Sequence, residues 1–500
     1  MEFKYKNLSI DFVKPIENIV DLKITKELNK HSKVYIRGII PEEETEEYAN
    51  TATINDKIKI TETGSENVVF VGVIDTISVR QYHDVYYLEL EAVSYSYNLD
   101  ITKKYRSFQD LSMTYRDILD EVLADYDKTH YIDTVTNKQI IPDIIVQYNE
   151  TDWEFIKRLA SHFNASVVAD CKESFPRFYF GLPKWRPENN IDNIPYTREK
   201  NIEDYIHTVS NFNSSINSWD KISCEFESYS YFELAERLKF KLEPLVVTKT
   251  TGYVRNEEIV YKYHLTTANG AGQNFQENKN IVGAKLEGVI KEVNRNTIRI
   301  HLNIDKVYRG KDNKFIPYAG GINNEVGYYM PKPGSSVQMY FPNGNEGDSI
   351  ISASVRKGTA GHERMSDHRE KHLRNQFGKE LRLGVNDMEF ITGNDEIKIN
   401  MTADGKMLIN APEAITINTN TNLIAGNYDE FETYVSWVTI PGGITENIRF
   451  EAENNLILRT GESEGAFVLS DENSDIVQRV YDKILMNDYF KEASHSGLFS

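Results

Sequence analysis

Apolar and polar positions alternate along the first hundred residues: Val34 and Ile36, then Val69, Val71 and Val73, then Leu88, Leu90 and Ala92 within Val85 to Val93. A period of two marks strands with one buried face, so this stretch predicts an antiparallel barrel or sandwich. The acidic segment PEEETEEYAN, Pro41 to Asn50, reads as a solvated loop between strands. Around residue 112 the period changes. Ile118, Leu119, Val122 and Leu123 follow helical spacing after two residues able to cap, Ser112 and Thr114. In ETDWEFIKRLASHF, Thr151 and Glu154 form a T-x-x-E capping box, and Phe155, Leu159 and Phe163 recur every four residues. Apolar runs at Val167–Val168 and Phe178–Phe180 return the chain to strands, so residues 99–200 read as a small α+β insert. From Asn201 to Thr267 strand-like segments resume, with ISCEFESYSYF and IVYKYHL (Ile259 to Leu265), predicting a second β domain similar in size to the first. The polar tract ANGAGQNFQENKN, with Gly270 and Gly272, reads as a linker.

Beyond Ile281 the segments GAKLEGVIKEV, NTIRIHLNI, YYMPKPGSSVQMYFP and DSIISASV supply about five short strands in about 75 residues, with Gly and Pro at the turns, as in a small OB-type barrel. After Arg356 comes a charged, His-bearing stretch, GHERMSDHREKHLRNQ. The segments EIKIN (Glu396 to Asn400), KMLIN (Lys406 to Asn410), AITIN (Ala414 to Asn418) and NLIAG (Asn422 to Gly426) then recur, each a short strand closed by Asn or Gly. Such units must stack to bury surface, as in a β-helix or prism. One chain holds too few copies to close a solenoid, whereas three chains wound about one axis would complete it, so a homotrimer is expected. The last segment, DIVQRVYDKILMNDYF, returns to helical spacing through Val477, Val480, Ile484 and Leu485.

Composition narrows the class. Five hundred residues exceed one core and predict several modules. With 40% apolar and 27% charged residues the chain is of folded, non-membrane type. The net charge, 57 Lys+Arg against 76 Asp+Glu, is −19, which repels phosphate backbones. OB barrels often hold single strands in basic, aromatic grooves; here the residues after His301 mix signs, and no nucleic-acid partner is expected. Cys171 and Cys224 are too few for a disulfide scaffold and read as buried small hydrophobes. The N-terminus lacks an uninterrupted apolar h-region, so no signal peptide is expected.

Four stretches resemble one family. VVFVGVIDTISV and YYLELEAVSYSYNLD, ending in Ser94, Ser96, Leu99 and Asp100, are similar to its barrel-closing hairpin. VQYNETDWEFIKRLASHFNASVVAD (Val146 to Asp170) resembles its Gln-Tyr-x-Glu-(Ser/Thr)-Asp-(Trp/Phe)-x-Phe-x-x-Arg-Leu run. YYMPKPGSSVQMYFPNGNEGDSIISASV (Tyr328 to Val355) resembles its Met-Pro-x-x-Gly-x-x-Val signature, and FGKELRLGVNDMEFITGNDEIKIN its passage into the spike. In family order, these stretches identify a resemblance to the VgrG-like hub-spike proteins of contractile injection systems, which include phage baseplate hub, late-control D and tail-spike proteins. The turn NGNEGDSI, where the secretion-system branch has Asp-Pro-Asp-Arg-Pro, leans toward phage-tail-like members.

The resemblance implies a mainly β, multidomain chain: hub β-barrel I at 1–98, the α+β insert at 99–200, hub β-barrel II at 201–275, an OB-fold neck at 276–357, a linker at 358–394, a trimeric intertwined β-prism spike at 395–470 and a helical segment at 471–500. It implies a homotrimer that adapts a sixfold tube to a threefold, envelope-piercing spike. The implied partners are a tail tube or tube initiator protein, baseplate wedge proteins, a separate PAAR-like tip or cargo protein and the target cell envelope. Assembly would take place in the bacterial cytoplasm, as part of a virion or tailocin-like particle.

Catalytic chemistry finds little support. About 40 residues separate Arg356 from Glu396 and about 30 follow Ser470, short of a catalytic domain. His362, Glu363, Asp367, His368 and His372 form the sharpest metal candidate, since His368 and His372 at i, i+4 could bind Zn²⁺ from one helix face. HExxH is absent, and solvated linker histidines are the favoured reading. His495 lacks the His-x-His pattern of spike tips. Asp387, Glu389, Asp395 and Glu396 are carboxylates available for acid/base work in an alternative reading, a spike-associated cell-wall or polysaccharide hydrolase; solvated turns are the favoured assignment. No G-x-S-x-G elbow and no phosphate-cradling Gly pattern occurs. The expectation is a non-enzymatic structural protein with no catalytic, cofactor-binding or metal residues and no cofactor.

Overall fold

The computed structural model describes residues 2–412 except 6–7, 13–15, 17, 45–52, 54–55, 64–66, 185–189, 192–193, 213–215, 242, 257, 311, 321–329, 355–366 and 393–395. Beyond 412 it describes only the backbones of Thr416–Thr419, Asn422–Ala425, Arg449–Ala452, Asn455–Arg459 and Ala466–Leu469. The helical pattern expected over 471–500 lies outside the described residues, as do Gly426 and the greater part of the acidic loop. Two units, Met1–Lys357 and Gly358–Ser500, are taken separately.

The period-two segments form the strands they predict. The first half of a thirteen-stranded sheet comprises β1 (Glu2–Tyr5), β2 (Leu8–Phe12), β3 (Asn18–Glu27), β4 (Lys33–Ile40), β5 (Lys57–Glu62), β6 (Val68–Tyr82) and β7 (Val85–Ser94). Along β4 the inward residues Val34, Ile36 and Ile40 are buried, and they join Leu8, Ile10, Ile58, Ile60, Leu88 and Leu90 in one core. Burial of each such side chain contributes about 1.5–3 kcal/mol. The alternation that marked these residues in the sequence is thus the pleat of a sheet with one face on a core.

An α+β insert follows, built from β8 (Lys104–Phe108), α1 (Tyr115–Leu123), β9 (His130–Asp133), β10 (Ile145–Glu150), α2 (Asp152–Ser161), β11 (Val167–Asp170) and β12 (Arg177–Phe180). Thr114, rather than Ser112, caps α1: its hydroxyl accepts from the Asp117 N–H while Asp117 receives the Thr114 N–H. Thr151 and Glu154 form the same reciprocal box at α2. Phe155 and Leu159 are fully buried with Trp153, Phe108 and Phe178, whereas Phe163 lies past the helix end, half-buried.

The second half of that sheet and its connections hold β13 (Asn190–Ile191), β14 (Tyr196–Lys200), α3 (Ile202–Phe212), β15 (Ile222–Ser228), β16 (Arg237–Phe240), β17 (Glu243–Arg255) and β18 (Glu258–Thr266). Helix α3 stands where strands were expected, because its Ile202, Ile206, Val209 and Phe212 recur at helical spacing yet face outward, all exposed. The first half is ordered β2-β5-β6-β7-β4-β3 and the second β13-β16-β17-β18-β15-β14. Taken in chain order, the two orders are the same. Even the bulges correspond: one separates Ile74 from Thr76 in β6, the other Val247 from Lys249 in β17. They differ at one edge, where β13 runs parallel to β16 and β2 antiparallel to β5. Antiparallel pairing of β3 with β17, Glu27 opposite Lys249 through Lys23 opposite Tyr253, fuses both halves into one sheet.

A five-stranded antiparallel sheet completes the first unit: β19 (Lys285–Asn294), β20 (Thr297–Leu302), β21 (Ile316–Pro317), β22 (Ser336–Tyr340) and β23 (Ile350–Ser354), ordered β21-β20-β19-β22-β23. Ile298, Ile300, Leu302, Val337 and Met339 fill its core, and Ile144 and Val146 of the insert enter the same core. In the second unit β24 (Lys371–Arg374), β25 (Glu380–Leu383), β26 (Asp387–Thr392), β27 (Ile397–Thr402) and β28 (Met407–Asn410) form an antiparallel meander. β27 and β28 fall on the EIKIN and KMLIN repeats. Phe390, Met407, Leu408 and Ile409 are exposed there.

Candidate functional site

Charges leave water only when paired, so the buried ionic groups show where modules are locked together. Arg158, on α2, is 2% exposed. Its Nε and Nη2 each donate to the Glu150 carboxylate at 2.8 Å, Nη1 donates to Glu346 at 2.9 Å, and Nη2 donates to the Val146 carbonyl at 2.8 Å. Asn278 also donates to Glu150, at 3.2 Å. The cluster spans the insert, the linker after β18 and the turn between β22 and β23. Burial pushes the Glu150 carboxyl above its ordinary range, with Arg158 opposing. Burial disfavours the guanidinium charge, but Glu346 and Glu150 outweigh it and hold Arg158 above its usual value.

Asp152, the first residue of α2, is fully buried and accepts four bonds: from Lys104 at 2.7 Å, Arg106 at 2.9 Å, Gln147 at 2.9 Å and the Tyr126 hydroxyl at 2.6 Å. A third cluster ties β8 to the loop after β20, where Asp305 accepts from the Ser107 N–H at 2.6 Å and hydroxyl at 2.5 Å. The hairpin motif and the α2 motif meet at His31, whose ring bonds Ser96 at 2.8 Å and Asp100 at 3.1 Å and lies 4.6 Å from the Trp153 ring. Asp100 also accepts from Thr151, the α2 cap. Burial raises the Asp100 carboxyl, but the bonds from His31 and Thr151 leave it below its ordinary value. At the β3–β17 joint the buried Lys26 ammonium donates to the Val69 carbonyl at 2.9 Å and to Tyr231 at 2.7 Å, and Tyr231 donates to Glu233 at 2.8 Å. The motif run around α2 is thus a set of joints: Gln147, Glu150, Thr151, Asp152 and Arg158 are its polar members, and Trp153, Phe155 and Leu159 its core.

Residues 51–167, from the end of the acidic loop through the long β6–β7 hairpin to the start of β11, match the model of the phage tail baseplate hub family (GPD). Among solved structures, the E. coli c3393 protein, a type VI secretion system component similar in structure to the T4 bacteriophage tail proteins gp27 and gp5, superposes with a TM-score of 0.51. Identity is 12%, over 69% of this chain and 99% of that one. A chain of the lidded Francisella PdpA-VgrG complex gives a TM-score of 0.52 at 8% identity, covering 81% of this chain and 80% of that chain. This chain has the VgrG-like hub-spike fold. A 43 kDa tail protein of prophage MuSo2 from Shewanella oneidensis is a further match, with a TM-score of 0.41 and 9% identity over 54% of this chain and 99% of its own. No curated protein matches the sequence.

The residues considered for chemistry are dispersed over this hub-spike chain. His368 and His372 do not share a helix face: His368 sits in a turn and His372 in β24, because KHLR alternates as a strand. The His372 ring bonds Glu380 at 2.6 Å, and Asp367 pairs with Arg369 at 2.7 Å. Among the described residues no group of three or more His, Cys, Asp or Glu is placed to hold a metal ion. Asp387 and Glu389 both receive the Arg382 guanidinium, and Asn400 donates to each. Glu396 is exposed, while Asp395, His362, Glu363 and His495 lie outside the described residues. Cys171 and Cys224 are buried free thiols, as the sequence predicts. Sequence reasoning missed the buried ions Arg158, Asp152, Glu346 and Lys26; the signal available was a charged residue, Arg158, within an otherwise apolar helix face.

Proposed function

We propose that this hub-spike chain works as a non-enzymatic homotrimer at the baseplate centre of a contractile injection system or a phage tail-like particle of the tailocin or myophage kind. It adapts a sixfold tube to a threefold, envelope-piercing spike. The observation that carries this reading is the repeated strand order: one chain holds two like β units in one sheet, so three chains carry six. In this reading residues 276–357 are an OB-type neck, 358–394 a linker and 395–470 a trimeric prism. The exposed Phe390, Met407, Leu408 and Ile409 support the prism, since such a patch on a lone chain invites association. The partners are then a tail tube or tube initiator protein, wedge proteins, a separate tip or cargo protein and the target envelope, after assembly in a bacterial cytoplasm.

Light scattering on the purified full chain tests the reading and should return three times 57.7 kDa. A folded monomer at micromolar concentration refutes it. A muralytic assay on the same sample should show no turnover, and measurable turnover refutes the non-enzymatic assignment.

A further inference from the structure

Lys26 and Cys171 are far apart in sequence and meet in the interior, at 2% and 3% exposure. Both side chains donate to one acceptor, the Val69 carbonyl: the ammonium at 2.9 Å and the thiol at 3.5 Å. An ammonium has three donors. A second goes to the Tyr231 hydroxyl at 2.7 Å, and the ammonium also hydrogen-bonds the Cys171 sulfur. The backbone fixes the cysteine in turn, since its carbonyl accepts the Val71 N–H at 2.6 Å. Lys26 lies on β3, Val69 on β6, and Cys171 directly follows β11 of the insert. Three elements therefore converge on one nitrogen–sulfur pair. Around the sulfur the packing is apolar, because Cys171 belongs to the core that holds Leu8, Ile24 and Phe70.

A buried cysteine ordinarily serves as a small hydrophobe, and a buried ammonium ordinarily takes a carboxylate partner. Here the partners of the ammonium are a carbonyl, a phenol and a sulfur, and among the described residues no ion pair joins Lys26 to a carboxylate. Glu233 is linked to it through Tyr231, whose hydroxyl donates to Glu233 at 2.8 Å, while Glu233 itself pairs with Lys172. A cation at a sulfur favours the thiolate, the form that oxidants attack. Burial then selects the oxidant. Apolar interiors admit small apolar molecules, dioxygen among them, and keep out glutathione and other bulky thiols. An oxidised sulfur condenses with the thiol or nitrogen beside it. The other cysteine, Cys224, sits in a separate core with Phe226 and Tyr263, so the nitrogen of Lys26 is the group at hand.

We propose that Lys26 and Cys171 form a modification site at which dioxygen creates an oxygen-bridged cross-link, Nζ–O–Sγ, between β3 and the insert. The Nζ–O and O–Sγ bonds form, while the O–O bond, the S–H bond and two N–H bonds of the ammonium break. One oxygen atom enters the bridge and the other leaves as water with two of the released hydrogens; the third departs as a proton. Nitrogen and sulfur each give up two electrons, and dioxygen takes all four. Two equivalents of a dithiol return those electrons, restoring amine and thiol and releasing the bridging oxygen as water. The bond closes a loop from β3 to the end of β11 and restricts the unfolded chain as a disulfide does. A chain folded in a reducing compartment and carried into air would gain the staple after folding; that consequence alone rests on the function proposed above.

The full chain, purified with reductant in the absence of air, tests the bond. After removal of the reductant one portion is aerated and the other kept from oxygen, and both are digested without reductant for mass spectrometry. Aeration should yield a pair of peptides joining Lys26 to Cys171, with their summed mass plus one oxygen less two hydrogens. The pair should be missing from the anaerobic portion and should vanish on treatment with dithiothreitol. Cys224, a buried free thiol with no lysine bonded to its sulfur among the described residues, should stay a thiol in both portions. Cys171→Ser keeps a donor for the Val69 carbonyl and should abolish the linked pair. Aeration should shift the urea midpoint of the parent upward and leave that of Cys171→Ser in place. An aerated parent with both side chains unmodified overturns the inference. So does Cys171 oxidised to the sulfinic acid with Lys26 free, or a linked pair that lacks the oxygen and is therefore a direct sulfur–nitrogen bond.

Discussion

Arg158→Met removes the cation from the joint between α2 and the turn at Glu346 while keeping an unbranched side chain of similar reach. Glu150 and Glu346 lose every bond from the guanidinium, and the Val146 carbonyl loses its 2.8 Å donor. Removing one partner of a buried ion pair costs about 3–5 kcal/mol, because the other charge stays desolvated. At pH 7 the stranded Glu150 carboxylate can instead take up a proton, at about 3.7 kcal/mol from an ordinary Glu value near 4.3, so the two routes agree in size. The sign of the pH dependence follows. Burial already raises Glu150 and Arg158 is the main opposing group, so in the variant its folded pKa climbs further above the unfolded one. Such a group favours folding at low pH and loses that contribution as pH rises. The deficit should therefore be about 3–5 kcal/mol at pH 7 and shrink by more than about 1 kcal/mol at pH 5. Urea unfolding at both pH values gives the energies, and hydrogen exchange over residues 145–161 and 345–350 locates the loss. A deficit below about 1 kcal/mol at pH 7, or one equal at the two pH values, would refute the clamp. Replacing Glu150 and Glu346 by Gln in the same chain should recover most of the deficit, as removal of a whole buried ionic set often does.

Leu159→Ala, fully buried beside Trp153 and Phe155, should cost about 2–5 kcal/mol; an unchanged calorimetric midpoint would show the helix face to be misread. Asp152→Asn keeps the shape but removes the charge facing Lys104 and Arg106, with an expected loss of roughly 3 kcal/mol in urea unfolding; a midpoint equal to the parent's would mean the two cations find other partners. Burial first, and then the Arg158 charge, push the His162 pKa down to about 3. The unfolded chain binds that proton near pH 6.5, so the contribution is whole above that pH and is lost toward pH 3, by about 2 kcal/mol between 6.5 and 5. His162→Phe should flatten the acid limb of the stability curve by that amount, and parallel curves would contradict it.

The strands of the first half, the capping boxes at Thr114 and Thr151 and the inward face of α2 are all readable from local pattern. Each depends on residues a few positions apart. The β3–β17 joint is not readable this way, because Lys26 and Thr250 meet across more than 200 residues of chain and each strand alone looks like an ordinary edge. Helix α3 is hard to read for a related reason: among the described residues its Ile202, Ile206, Val209 and Phe212 stripe is exposed and joins no core, and its neighbours in sequence are strand-like. His372 misled by spacing, since i, i+4 suits a helix but Lys371–Arg374 is a strand paired to β25. The buried ions were visible as residues and not as a site. Only the fold shows that Arg158 and Glu346, far apart in sequence, are 2.9 Å apart in space.

The choice of ions for these joints has a mechanical logic that apolar packing lacks. Apolar contact is proportional to area and tolerates sliding, whereas a buried ammonium or guanidinium is satisfied in one arrangement only. In β3, Leu22, Ile24 and Lys26 form the inward row, so Lys26 occupies a position that alternation would give to an apolar residue. A slip of one residue at the β3–β17 joint would turn that row outward. Thr25 and Glu27 would then face the interior, with the Val69 carbonyl and the Tyr231 hydroxyl stripped of the ammonium that bonds both. The cost of leaving those groups buried and unpartnered falls on every wrong register and on no right one. A hub built of two like halves needs such a device, because like halves offer like edges that could pair out of step. Lys26 adds a polar penalty to the apolar one that Leu22 and Ile24 already set on a slipped register.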